Sequence, residues 1–141
     1  MNKKSLEAIP ESLRTAEIYQ RVPWEPTEGP RGFQGGYWSL RVVGEVVTDL
    51  TIRLDGHNSL LRRYEEVDFL APVHGGEYMR FSCELVAIGD TSRTIDFWVD
   101  KELAEAPRGW PHAQVLEKPL RVVQGRAILV VPRDAETASG A

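Results

Sequence analysis

The sequence predicts an α+β fold, an antiparallel sheet of about five strands wrapped around one long central helix. Two observations predict it. A single segment, residues 39–55, carries a sustained helical repeat. The segments around it have strand length and alternation and are separated by Gly- and Pro-rich turns. A lone helix with apolar residues on more than one side needs a sheet large enough to enclose it. The 141 residues, 42% of them hydrophobic, suffice for one such domain with a core. We place a polar N-terminal arm at 1–14, the single domain at 15–133 and a flexible tail at 134–141.

The first strand is expected over Ala16–Val22, which alternates loosely. Pro23, Pro26, Gly29 and Pro30 then break regular structure, and a loop runs to Gly35-Gly36. Leu40, Val43, Val47, Leu50 and Leu54 recur at steps of three and four and form one apolar stripe. Val42 and Val46 widen it, so burial on several sides must stabilise a helix this rich in β-branched residues. Ser39 is the expected N-cap and Asp55-Gly56 the expected stop. Four strands follow, at 64–70, 77–88, 93–103 and 120–131. The second places Met79, Phe81, Cys83, Leu85 and Ala87 on one face, and the third Ile95, Phe97 and Val99. Gly89-Asp90-Thr91-Ser92 is a turn. The open edges of such a sheet call for a homodimer or a higher homo-oligomer.

Composition excludes several functions. A net charge of −4 lacks the basic excess of a nucleic-acid-binding protein. No apolar run approaches the roughly 18 residues of a membrane span. Polar residues follow Met1 where a secretory signal would be apolar, so a cytoplasmic, soluble protein is expected. Cys83 has no partner cysteine, and its alternation marks it as a buried, inert thiol. His57, His74 and His112 have no metal-ligand spacing, so no metal is expected. There is no Gly-x-Ser-x-Gly elbow.

Several stretches resemble a known family. They are Gly44-Glu45-Val46-Val47-Thr48-Asp49-Leu50 with Ile52-Arg53-Leu54-Asp55-Gly56, Tyr64 through Val73, Gly89-Asp90-Thr91-Ser92-Arg93, Val115 through Pro119, and Val130-Val131-Pro132. Across roughly residues 33–133 the chain resembles the 3-aminobutyryl-CoA and β-alanyl-CoA ammonia lyases. That family has the hotdog fold, the arrangement predicted above. It carries His-Tyr-Gly-Gly-Asn before the helix, where this chain has Phe33-Gln34-Gly35-Gly36-Tyr37. The resemblance implies reversible loss of ammonia from a short β-amino acyl-CoA, with coenzyme A entering as part of the substrate and no separate cofactor. An acyl-CoA thioesterase on the same fold, and a non-catalytic subunit of a hetero-oligomer or acyl-CoA-binding protein, are the alternatives.

The reaction needs a base for the proton beside the thioester carbonyl, donors for the enolate oxygen and a holder for the leaving amine. Glu45 is the expected base, because it sits among Val42, Val43, Val46 and Val47 and a carboxylate there is costly without a role. Asp49 lies one turn on, where two carboxylates can share a proton or a cation. Gln34, Gly35 and Gly36 precede the helix, where glycine admits close approach and backbone N–H groups suit a thioester oxygen. Tyr37, His74 and Gly75 are expected to wall the substrate pocket. In the resembling family the Thr91-Ser92-Arg93 turn lies near the coenzyme A groove, and Arg93 is the expected phosphate contact, with Arg62, Arg63 and Arg80 as further candidates.

Overall fold

The structure is a computed structural model that describes residues 6–24 and 33–133. The expected tail at 134–141 and the Pro26–Pro30 breakers lie outside the described residues. Two 3-10 turns, Leu6–Ala8 and Glu11–Leu13, lead into strand β1, Thr15–Arg21. A two-residue strand β2, Phe33–Gln34, precedes helix α1, Gly36–Asp55. Then come β3, Leu60–Phe69, the short β4, Val73–His74, β5, Tyr78–Ile88, β6, Ser92–Glu105, and β7, Ala113–Val130. The long strands form one antiparallel five-stranded sheet in the order β1-β5-β6-β7-β3, and β2 pairs with β4 as a separate ribbon.

Period-two alternation turns Met79, Phe81, Cys83 and Leu85 of β5 and Ile95, Phe97 and Val99 of β6 towards the helix. Val42, Val43, Val46, Val47 and Leu50 of α1 meet them, all buried. At roughly 1.5–3 kcal/mol for each fully buried aliphatic or aromatic side chain, this interface holds the helix despite its valine content. Trp38 packs edge-on against Phe81, ring centroids 5.7 Å apart, and draws the first turn of the helix into the core.

That packing corrects the expected helix start. The cap is Gly35, in extended conformation and without a side-chain cap, whereas Ser39 is buried within the first turn. The stop is as expected. Gly56 is left-handed at φ 66° and its N–H reaches Ile52 O at 2.8 Å. Two strands start well before the expected residue. β3 starts at Leu60, because Leu60 and Leu61 pair with Val130 and Leu129. β7 starts at Ala113, because Ala113–Val115 pairs with the end of β6. Neither extension carries alternation strong enough to read locally. The expected polar arm also docks in part, with Leu6 and Ile9 packed on the core and Leu85 N–H donating to Arg14 O at 2.7 Å.

Two details tie the helix into the sheet. Tyr64 of β3 donates its hydroxyl to Leu40 O at 3.1 Å, and burial raises its pKa. Just beyond, the β3–β7 register shifts between Glu65 and Asp68, with Glu66 at φ 51°. Gly125 of β7 lies under this bulge. A Cβ there would stand 2.7 Å from Phe97 Cζ and 3.2 Å from Val67 Cα, so only glycine fits.

Candidate functional site

The predicted site residues fall into three groups. Gln34, Gly35, Gly36, Tyr37, His74 and Gly75 gather at the N-terminal end of α1. The β2–β4 ribbon gathers them, because Phe33 pairs with His74 and Gln34 with Val73. The Phe33 and His74 rings lie 4.4 Å apart. Gln34 is buried. Its Nε2 donates to Pro23 O at 3.1 Å, while its Oε1 is buried with no hydrogen-bond partner among the described residues. Gly36 lies under the Phe69 ring, and a Cβ there would stand 2.7 Å from it. Gly75 is covered by Trp24 and Pro23. Tyr37 is exposed on the outer side of the first turn.

Thr91, Ser92 and Arg93 stand at the opposite end. A 20-residue helix is about 30 Å long, so in one chain this turn and the Gly35-Gly36 turn cannot line one pocket. The expected phosphate role of Arg93 is also corrected. Arg93 is 3% exposed and forks onto Asp55, Nε to Oδ2 and Nη2 to Oδ1, both 2.9 Å. Its Nη1 donates to Gly89 O at 3.0 Å and Ser92 O at 2.9 Å. Every guanidinium nitrogen therefore serves to pin the end of α1 to the β5–β6 turn. Thr91 O accepts from Val131 N–H at 2.8 Å, which closes the same corner. Arg63 pairs with Glu65 at 2.6 Å and Arg80 with Glu102 at 3.2 Å.

Glu45 and Asp49 form the third group. Glu45 is exposed on the face of α1 turned from the sheet, so the expectation that its apolar neighbours enclose it is corrected. Those valines all turn inward, and Glu45 shares the outer face with Arg41 and Ile52 at helical spacing. Asp49, expected to stack with it, is instead paired with an arginine. Its Oδ1 accepts from Arg53 Nε at 2.6 Å, one turn further on, and Asp49 raises the Arg53 pKa. Cys83 is the buried thiol expected. Burial pushes its pKa up to about 12, and Sγ lies 3.6 Å from Val46 O.

The structure also brings in residues that the sequence reading passed over. Glu77 and Lys101 are each 7% exposed and paired, Oε2 to Nζ 2.9 Å. Glu77 Oε1 accepts the His74 backbone N–H at 2.7 Å and lies 3.6 Å from His74 Nδ1. Lys101 Nζ also donates to Pro72 O at 3.1 Å. A signal for both was present: Lys101 continues the inward series Ile95, Phe97, Val99, and Glu77 precedes Met79 and Phe81 in phase. His74 and Glu77 line a cavity of about 500 Å³ with Ala104, Glu105 and Ala106. Beyond Gly75 and Gly76 lies an apolar groove of about 340 Å³, in which Trp24 and Trp110 meet edge to face at 5.3 Å. Ala104 and Glu105 border both spaces.

With this geometry in place, comparison with known proteins decides the family. The 3-aminobutyryl-CoA ammonia lyase of Acetoanaerobium sticklandii is 33% identical over 108 residues, which span 74% of this chain and 84% of that protein. The chain belongs to the 3-aminobutyryl-CoA ammonia lyase family. No family model matches it. Solved structures show the fold to be the hotdog. The β-alanyl-CoA:ammonia lyase from Clostridium propionicum superposes with a TM-score of 0.81 at 21% identity, over 86% of this chain and 87% of that one. A hexameric hotdog fold thioesterase of Campylobacter jejuni gives 0.69 at 19% identity, over 83% of each chain.

Proposed function

We propose that this member of the family catalyses the reversible elimination of ammonia from a short β-amino acyl-CoA, giving the enoyl-CoA and ammonium. The observation that carries this reading is the relationship to the Acetoanaerobium lyase, which extends over most of both chains. The local chemistry supports it. Gly35 caps α1 without a side-chain hydrogen bond to the first turn, so the first backbone N–H groups of the helix can serve a thioester oxygen and take up enolate charge, with the Tyr37 ring against Gly35 as a wall. Gln34 Oε1, an acceptor without a donor, suits the amino group on the β-carbon. Tyr37, His74 and Gly75 border the same corner.

A homodimer completes the site. The outer edge of β3 leaves Leu60, Leu61, Phe69 and Leu70 exposed, a row that a second copy would cover. A two-fold axis there runs the two helices antiparallel, so the partner contributes a group from the middle of its helix, Glu45. Glu45 is then the general base and Thr91 and Ser92 reach coenzyme A from the partner. The substrate is the acyl-CoA thioester, in the cytoplasm, with no separate cofactor.

Crotonyl-CoA and ammonium chloride test the reading by loss of enoyl absorbance. Turnover without release of free thiol is the expected result. Thiol release without amine addition would establish the thioesterase instead. Glu45→Gln should lower kcat by about 10²–10⁴-fold, the usual contribution of a positioned base, and full activity would remove Glu45 from the role.

A further inference from the structure

We propose that His74 is a second proton-carrying residue of this site, serving the nitrogen of the substrate, with Glu77 and Lys101 as its positioning pair. The inference rests on the ammonia lyase reading and deepens it.

Burying an ammonium and a carboxylate forfeits hydration worth several kcal/mol per ion, so an isolated pair is a poor way to hold a fold together. Here the pair grips both ends of β4. Lys101 Nζ holds Pro72 O before it, and Glu77 Oε1 holds the His74 N–H within it. The backbone of His74 is thereby fixed relative to β5 and β6. The same Oε1 stands 3.6 Å from His74 Nδ1, too long for a hydrogen bond but within reach of a small ring rotation. A carboxylate on Nδ1 selects the tautomer and leaves Nε2 as the nitrogen offered to a ligand.

The placement fits the reaction. His74 lines the 500 Å³ cavity. It is the cross-strand partner of Phe33, two residues before Gly35. At about 3.3 Å per strand residue, Gly35 lies about 7 Å along the chain from Phe33, and His74 stands opposite Phe33 on β4. The charged groups around it are Glu77 ahead of β5, Lys101 and Glu105 on β6, and Arg21 at the end of β1, whose Nε reaches Gly76 O at 3.3 Å. The ribbon strand β2 brings only Phe33 and Gln34.

Glu45 takes the α-proton, the C–H electron pair becomes the Cα=Cβ bond, and the Cβ–N pair leaves with nitrogen as ammonia. The His74 imidazolium passes its Nε2 proton to that ammonia, which departs as ammonium. Solvent then takes a proton from Glu45 and returns one to His74. In the addition direction neutral His74 removes a proton from ammonium and frees the lone pair that attacks Cβ.

Kinetics of crotonyl-CoA amination test the proposal. His74→Gln should lower kcat by about 10²-fold or more, leave KM for crotonyl-CoA unchanged, and remove a limb of the pH–rate profile. Wild-type kcat with an unchanged profile in His74→Gln would overturn it. Glu77→Gln strands a buried lysine, so the positioning role is read in the double variant Glu77→Gln/Lys101→Met, which should fold and lose part of kcat at constant KM. An unchanged kcat there overturns that role. Nuclear magnetic resonance of 15N-histidine separates this proposal from the lyase reading. Ammonium chloride should shift the His74 ring signals in the wild-type protein. A shift without turnover of crotonyl-CoA would sink the lyase reading and keep His74 as an ammonium-binding group, whereas ring signals indifferent to ammonium would sink the proposal itself.

Discussion

Arg93 shows how burial reassigns a residue whose type suggests another task. An arginine in a Gly-Asp-Thr-Ser-Arg turn suits a phosphate, but a guanidinium 3% exposed and forked onto Asp55 is fully occupied. Arg93→Met leaves the Asp55 carboxylate buried and unpaired, so stability should fall by about 3–5 kcal/mol in urea unfolding. The KM for a coenzyme A thioester should not move. A raised KM at unchanged stability would restore the phosphate role. Glu45 teaches the converse. Apolar sequence neighbours do not enclose a helical residue, because neighbours in sequence diverge by about 100° around the axis.

At the scale of elements, the β3–β7 pairing depends on a residue with no side chain. Gly125 opposes Phe97 across β6 and lies beneath the β3 bulge at Glu65–Asp68. Gly125→Ala places a methyl against the Phe97 ring and the Val67 backbone, both held in the core. The expected cost is about 1–3 kcal/mol, read as a lower unfolding midpoint, with the long helix retained in circular dichroism. An unchanged midpoint would mean that the bulge is softer than its geometry implies. The long strands and the helix were legible because their periods persist over many residues. The β2–β4 ribbon was not, because each strand has two residues and no period can show itself. That ribbon is the element that brings His74 to Gln34 and Gly35.

At the scale of the molecule, the open edge of β3 is the surface on which the proposed homodimer depends. Leu60, Leu61, Phe69 and Leu70 line or follow a strand paired on one side only. Leu61→Lys should convert the proposed homodimer to monomer in light scattering and abolish turnover with it, because the proposed base comes from the second copy. A monomeric wild-type protein, or a monomeric variant that turns over, would place the whole site within one chain.

The sequence by itself determined the helix body, its Asp55-Gly56 stop, the β5–β6 turn, the inward face of β6 and that of β5 as far as Leu85, since these follow from local periodicity and turn chemistry; beyond Leu85 a register shift exposes Ala87, expected inside, and buries Ile88. The motifs also carried the family. Tertiary structure alone decided which polar residues lie inside and which lie together. It buried Arg93 and paired it with Asp55, left Glu45 outside, and joined His74, Glu77 and Lys101 from segments up to 27 residues apart. The physical reason is that burial of charge depends on partners supplied by strand register, and register between distant strands is a property of the assembled sheet.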